Sequence, residues 1–86
     1  MNVHVGSILY EYTGGQPTVE ARGRTLRAVL ADLERRHSGI RFRVVDEQDR
    51  IRPHIHVFVG GRPAEGLEQR LEAGDEVHIL AALSGG

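Results

Sequence analysis

The chain has no cysteine, no lysine and no tryptophan, and its 86 residues hold only three prolines, two tyrosines and two phenylalanines. The missing cysteine excludes a disulfide framework, a thiolate metal site and a cysteine nucleophile, so any sulfur the protein handles comes from elsewhere. All eleven basic residues are arginine. No side-chain amine or thiol is therefore available to attack an activated acyl group, nor a lysine through which lysine-linked polymers are built. Aromatic residues make up 5% of the chain and the net charge is -1, which removes both the stacking surface and the broad electrostatic grip that nucleic-acid binding requires. The apolar runs are too short to span a bilayer, and Met1-Asn2-Val3-His4-Val5 has neither the basic nor the apolar region of a signal peptide. The expectation is a cytoplasmic protein with no membrane and no nucleic-acid partner. No phosphate-binding loop is present, because the glycine pairs at 14–15 and 60–61 lack the following helix and lysine.

What remains is 40% apolar and 27% charged, the balance of one globular domain with a modest core. Val3 and Val5 alternate with His4, the period of a half-buried strand in the segment Asn2 to Tyr10. Tyr12 to Pro17 supplies turn residues, and Thr18 to Ala21 returns antiparallel. Leu26, Val29, Leu30 and Leu33 then fall at i, i+3, i+4 and i+7, predicting a helix capped by Thr25 and closed near Gly39, whose stripe must cover one face of a sheet. In the segment 40–52, Phe42 and Val44 alternate with arginines as in a strand, with a charged turn at Asp46-Glu47-Gln48-Asp49. His54 to Val59 reads as a strand with Ile55, Val57 and Val59 on one face, so that a hairpin between these two runs is available. After a short turn at Leu67 and Leu71 and a tight turn at Ala73-Gly74-Asp75, Val77 and Ile79 form the inward face of a last strand.

The sequence then ends on Ser84-Gly85-Gly86. Residues 1–80 are expected to form the domain and residues 81–86 a flexible tail that could reach roughly 20 Å from it, its tip narrowed by two residues without Cβ. Strand alternation turns His4, His56, Phe58, His78 and Leu80 to the face opposite the helix, where Phe58 and Leu80 would form an apolar patch near the tail's root. His4, His54, His56 and His78 could gather on that face, but the strands supply no carboxylate at matching spacing, and no metal site is expected.

The order strand, strand, helix, strand or hairpin, last strand and tail resembles the ubiquitin-like β-grasp fold, an α+β architecture with one main helix packed across a mixed sheet. Thr25-Leu26-Arg27-Ala28-Val29-Leu30, Val57-Phe58-Val59-Gly60-Gly61-Arg62, Ala73-Gly74-Asp75-Glu76-Val77 and the closing Ser84-Gly85-Gly86 are similar to pieces of the sulfur carrier proteins grouped with the molybdopterin synthase small subunit and the thiamine sulfur carrier. Thr13-Gly14-Gly15-Gln16, Asp32-Leu33-Glu34 and Ser38-Gly39-Ile40 look most like the carrier for cysteine synthesis. Two departures stand out: Ala81-Ala82-Leu83 replaces a proline-containing, valine-ending stretch, and Gly60-Gly61 an asparagine-glycine turn.

The resemblance implies a protein co-substrate rather than an enzyme. A ubiquitin-activating-type enzyme would use ATP to adenylate the Gly86 carboxylate, a persulfide or sulfide would convert it to a thiocarboxylate, and a cysteine synthase-like enzyme would accept the sulfur. No cofactor would be bound by the carrier, and a metal-dependent peptidase joins the implied partners. Gly86 would be the reacting residue, with Gly85, Ser84, Leu83, Ala82, Ala81, Phe58 and Leu80 gripped by partners. Two other roles are open to the same pattern: the small subunit of molybdopterin synthase, and a ubiquitin-like modifier joined to proteins through Gly86.

Overall fold

Alternation decides the first strand, and a glycine ends it. In the computed structural model, which describes residues 1–81, β1 (Asn2–Val5) buries Val3 and Val5 and turns Asn2 and His4 outward. The expected continuation to Tyr10 is corrected. Gly6 N–H donates to the Ile79 carbonyl at 2.9 Å and Leu9 N–H to the Gly6 carbonyl at 3.0 Å. The chain thus coils into a 3-10 turn, Ser7–Leu9, and a short helix, α1 (Tyr10–Thr13). Leu9 and Thr13 are buried, so the coil closes one end of the core that a longer strand would have left open. Gly14 and Gly15, with φ of +66° and +84°, stop α1 in a conformation that favours glycine. β2 (Thr18–Glu20) then pairs antiparallel with β1 in the register Val3 to Val19.

Helix α2 (Leu26–Arg36) forms as its stripe predicts: Leu26, Val29, Leu30 and Leu33 are fully buried, and the Thr25 hydroxyl accepts the Ala28 N–H at 3.2 Å. The segment after it is not the expected strand. Ile40–Val44 is a short helix, α3, and no hairpin joins it to the next strand; a single antiparallel bridge, Val45 to Ile51, closes the loop instead. The reason lies in α2. The Glu34 carboxylate accepts the N–H groups of Gly39, at 2.9 Å, and Arg41, at 3.0 Å, satisfying donors at the start of α3, while Gly39 takes a left-handed φ of +96° to turn the chain.

β3 (Ile55–Val59) buries Ile55, Val57 and Val59. Gly60 and Gly61, both at positive φ, make a two-residue turn into β4 (Arg62–Pro63), paired from Val59 to Arg62. β5 (Val77–Ala81) follows a long connection. The sheet order is β2-β1-β5-β3-β4, with β1 parallel to β5 and the other pairs antiparallel. This is the β-grasp arrangement: the last strand lies in the middle of the sheet, bonded on both sides, and α2 covers one face. None of the described helices is long and apolar enough to cross a membrane.

Candidate functional site

β5 is bonded on both sides as far as Ile79, and its last residues, Leu80 and Ala81, are paired with β3. Ala81, counted with the tail by the sequence reading, is the strand's last residue, half-buried and paired with Ile55 of β3. Beneath it Val77 and Ile79 are fully buried in the core. Ala82, Leu83, Ser84, Gly85 and Gly86 lie outside the described residues.

Alternation along β5 and β3 gives the sheet its second, open face. One row of register partners crosses all five strands there: Thr18, His4, His78, Phe58 and Pro63. The His4 and His78 rings stack with centroids 4.4 Å apart and planes 20° from parallel. His4 Nδ1 and the Thr18 hydroxyl are hydrogen-bonded at 3.1 Å, and His4 Nε2 meets the Glu76 carboxylate. The sequence reading found no carboxylate for these histidines. Glu76, one residue before β5 begins, supplies one, but stacked rings direct their nitrogens side by side rather than toward one point, and among the described residues no three such groups converge on a metal position. His56 is on the same face, paired with Leu80, whereas His54 precedes β3.

Phe58 and Leu80 share the open face of adjacent strands. They are diagonal neighbours on β3 and β5, Phe58 half-buried beside His78 and Leu80 40% exposed beside His56. Leu80 stands next to the point where the chain leaves the sheet.

Two electrostatic clusters fix the surrounding layers. Asp32, on the covered side of α2 and only 2% exposed, accepts the Arg22 N–H at 2.8 Å and Arg36 Nε at 2.9 Å, and also meets Arg35. The Arg22 N–H foremost, with the two arginines, holds its carboxyl below the usual range against the opposing effect of desolvation. Asp49, at a left-handed φ of +62°, bonds Arg41 at 3.0 Å and Arg27 at 3.1 Å, which lowers its carboxyl likewise and raises the Arg27 guanidinium. Asp46 is lowered mainly by the Arg50 N–H. Asp46 closes the loop after α3 on itself, and Asp49 pins it to the helical layer. Sequence reasoning missed both clusters; it placed His4 and His78 on one face, where the register sets them side by side, and what it missed was the stacking of their rings.

Comparison with known proteins places these features in a lineage. A family model described as ThiS family matches residues 3–86. The sulfur carrier protein CysO of Mycobacterium bovis is 38% identical over 91 residues, covering 100% of this chain and 98% of that protein. Among solved structures, a chain of the Amycolatopsis orientalis BexX/CysO complex superposes with a TM-score of 0.90 at 38% identity, covering 99% of this chain and 98% of that one. The small archaeal modifier protein 1 of Methanosarcina acetivorans superposes with a TM-score of 0.81 at 26% identity, covering 99% and 94%.

Proposed function

The chain belongs to the ThiS family, and on that footing we propose that it is a sulfur carrier, a small protein co-substrate whose Gly86 carboxylate is activated and loaded by partner enzymes. The observation that carries the reading is the full-length similarity to a sulfur carrier protein, 38% identical with both chains covered almost end to end. A carboxylate is a poor electrophile and is ionised at neutral pH. In the proposed sequence its oxygen attacks the α-phosphorus of ATP on an adenylating enzyme, pyrophosphate leaves, and the acyl-adenylate accepts sulfide with loss of AMP; where a persulfide is the donor, its terminal sulfur displaces AMP to give an acyl disulfide, which a second thiol cleaves to the thiocarboxylate, leaving a disulfide. The resulting thiocarboxylate delivers sulfur in the pocket of an acceptor enzyme, for cysteine or another sulfur-containing metabolite.

The architecture supports the division of labour. The strand that leads to the reacting residue is bonded on both sides, so the body presents the tail from a fixed origin, while Phe58 and Leu80 on the open face give partners a second contact beside that origin. Ala82 to Gly86 enter the partners' channels. Gly85 and Gly86 contribute by having no side chain, which lets one tail fit two different channels.

Incubation with ATP, the adenylating enzyme from the same organism and a sulfide source, followed by intact-mass measurement, tests this. The product is heavier by the difference between a sulfur and an oxygen atom. Gly86→Ala, or one residue added after Gly86, abolishes it; normal loading of either variant sinks the proposal. A second reading, a modifier joined to target proteins through Gly86, draws on the similarity to the small archaeal modifier protein. Isopeptide-linked adducts in cells, lost on removal of the glycines, would favour it over sulfur transfer.

A further inference from the structure

Among the described residues two large apolar side chains are conspicuously exposed, Leu80 at 40% and Phe42 at 56%. Leu80 belongs to the open sheet face. Phe42 does not: it is on α3, in the helical layer, between the buried Ile40 and Val44. Backbone bonds nevertheless bring it toward the same end of β5. Arg52 Nε donates to the Phe42 carbonyl at 2.8 Å and the Arg52 N–H to the Val44 carbonyl at 2.9 Å. The Arg52 carbonyl in turn accepts the Ile55 N–H at 2.9 Å, and Ile55 is the register partner of Ala81. Phe42 is thus linked through Arg52 and Ile55 to the end of β5, on the helical side of the sheet, whereas Leu80 is on the open side.

The Phe42 side is charged as well as apolar. The Arg52 guanidinium lies over the Phe42 ring, 4.7 Å from its centroid. Its charge helps keep Asp46 ionised, yet among the described residues no carboxylate oxygen is within ion-pair reach of it, in contrast to Arg27, Arg41 and Arg50, which are each engaged by Asp46, Asp49 or Glu68. The neighbouring Arg43 has a buried Nε with no hydrogen-bond partner among the described residues. An exposed aromatic ring, kept flat under an arginine whose charge is unspent, has the composition of an interface anchor rather than of a solvated helix face.

We propose that Phe42 and Arg52 form a second docking element on the helical side of the end of β5, and that its occupant is a carboxylate-bearing rim around the tail channel of the enzyme that adenylates Gly86. The inference rests on the sulfur-carrier reading and names the chemistry of its first partner. The linkage to Ile55 and Ala81 supplies the location, and the Arg52 guanidinium, with no carboxylate within ion-pair reach among the described residues, supplies the complementary charge. A partner held on both sides of the sheet end is oriented more tightly than one held on the open face alone.

The test is loading kinetics with the same adenylating enzyme, ATP and sulfide, the carrier being the varied substrate. Phe42→Ala and Arg52→Gln are expected to raise KM for the carrier about five- to thirtyfold with kcat little changed, the range of an interface anchor. Rising salt should raise the wild-type KM and affect Arg52→Gln less. Phe42→Tyr, which keeps the ring, should restore the wild-type value. Amide spectra of the free variants establish that they are folded; should Arg52→Gln disturb α3, Phe42→Ala alone decides, because its side chain is mostly in solvent. Unchanged KM in folded Phe42→Ala, with the wild type loaded normally, overturns the inference and leaves the carrier reading intact. An effect confined to delivery of sulfur to the acceptor overturns the assignment to the adenylating enzyme. A wild-type chain that is never loaded overturns both.

Discussion

The two faces of the sheet are written on the same strands, yet they obey different constraints. On the covered face Val3, Val57, Val77 and Ile79 meet α2 and are sealed from water; each is explained by the fold. On the open face His4, His78, Phe58 and Leu80 share the same strands, but they are only partly covered, and packing asks far less of them than of the core. Residues that the fold does not need are free to serve a partner, so substitutions on the two faces should separate stability from function.

The sharpest way to break that contrast is Ile79→Ala. It is fully buried in the central strand, and the change is expected to cost about 2–5 kcal/mol, a large share of the total stability of a domain of this size; denaturant unfolding measures it. A cost no greater than that of an open-face substitution would erase the distinction.

Acid should probe the helical layer next. Asp32, Asp46 and Asp49 are all held below the usual carboxylate range in the fold. The stability they contribute is thus complete above the unfolded carboxylate value, about 4, and is lost as pH falls through their lower folded values. The urea midpoint should fall on acidification below that point, and Asp32→Asn should lower it at neutral pH while flattening the acid limb.

On the open face, Leu80→Ala is expected to change stability by no more than about 0.5 kcal/mol while slowing loading by the adenylating enzyme; thermal unfolding and the loading assay in parallel would separate the two. A comparably small effect belongs to the solvent-facing His4–Glu76 pair. A double-mutant cycle with His4→Asn and Glu76→Gln should give a coupling of about 0.2–1 kcal/mol.

Most of this division was legible in the chain. The valine alternation at 3 and 5, at 57 and 59, and at 77 names the covered face, and the open face follows from its complement. The stripe from Leu26 to Leu33 has one reading and one outcome. Ile40, Phe42 and Val44 show where legibility ends, because a spacing of two and a spacing of four coexist in them. As a strand they would share a face; in the fold Ile40 and Val44 are fully buried and Phe42 is 56% exposed, so the helical period wins. The deciding contact is the Glu34 carboxylate on the Gly39 and Arg41 N–H groups, which brings two elements together and has no signature in a local window. Gly6 is similar. Its N–H makes the last β1–β5 ladder bond, to Ile79 more than seventy positions away, and its carbonyl turns to accept the Leu9 N–H, so the strand ends there. The Asp49 junction with Arg27 and Arg41 likewise depends on two helices meeting first.

The pairing of β1 with β5 also has a mechanical consequence. The two strands are parallel neighbours at the centre of the sheet, so opposite forces applied at the amino end of one and the carboxyl end of the other run along both. Their hydrogen bonds then bear the load together, in shear, instead of opening one after another as at a peeled edge. An enzyme tugging on the last residues would strain a lattice of bonds rather than unzip it, and could work the end hard without unravelling what it is attached to.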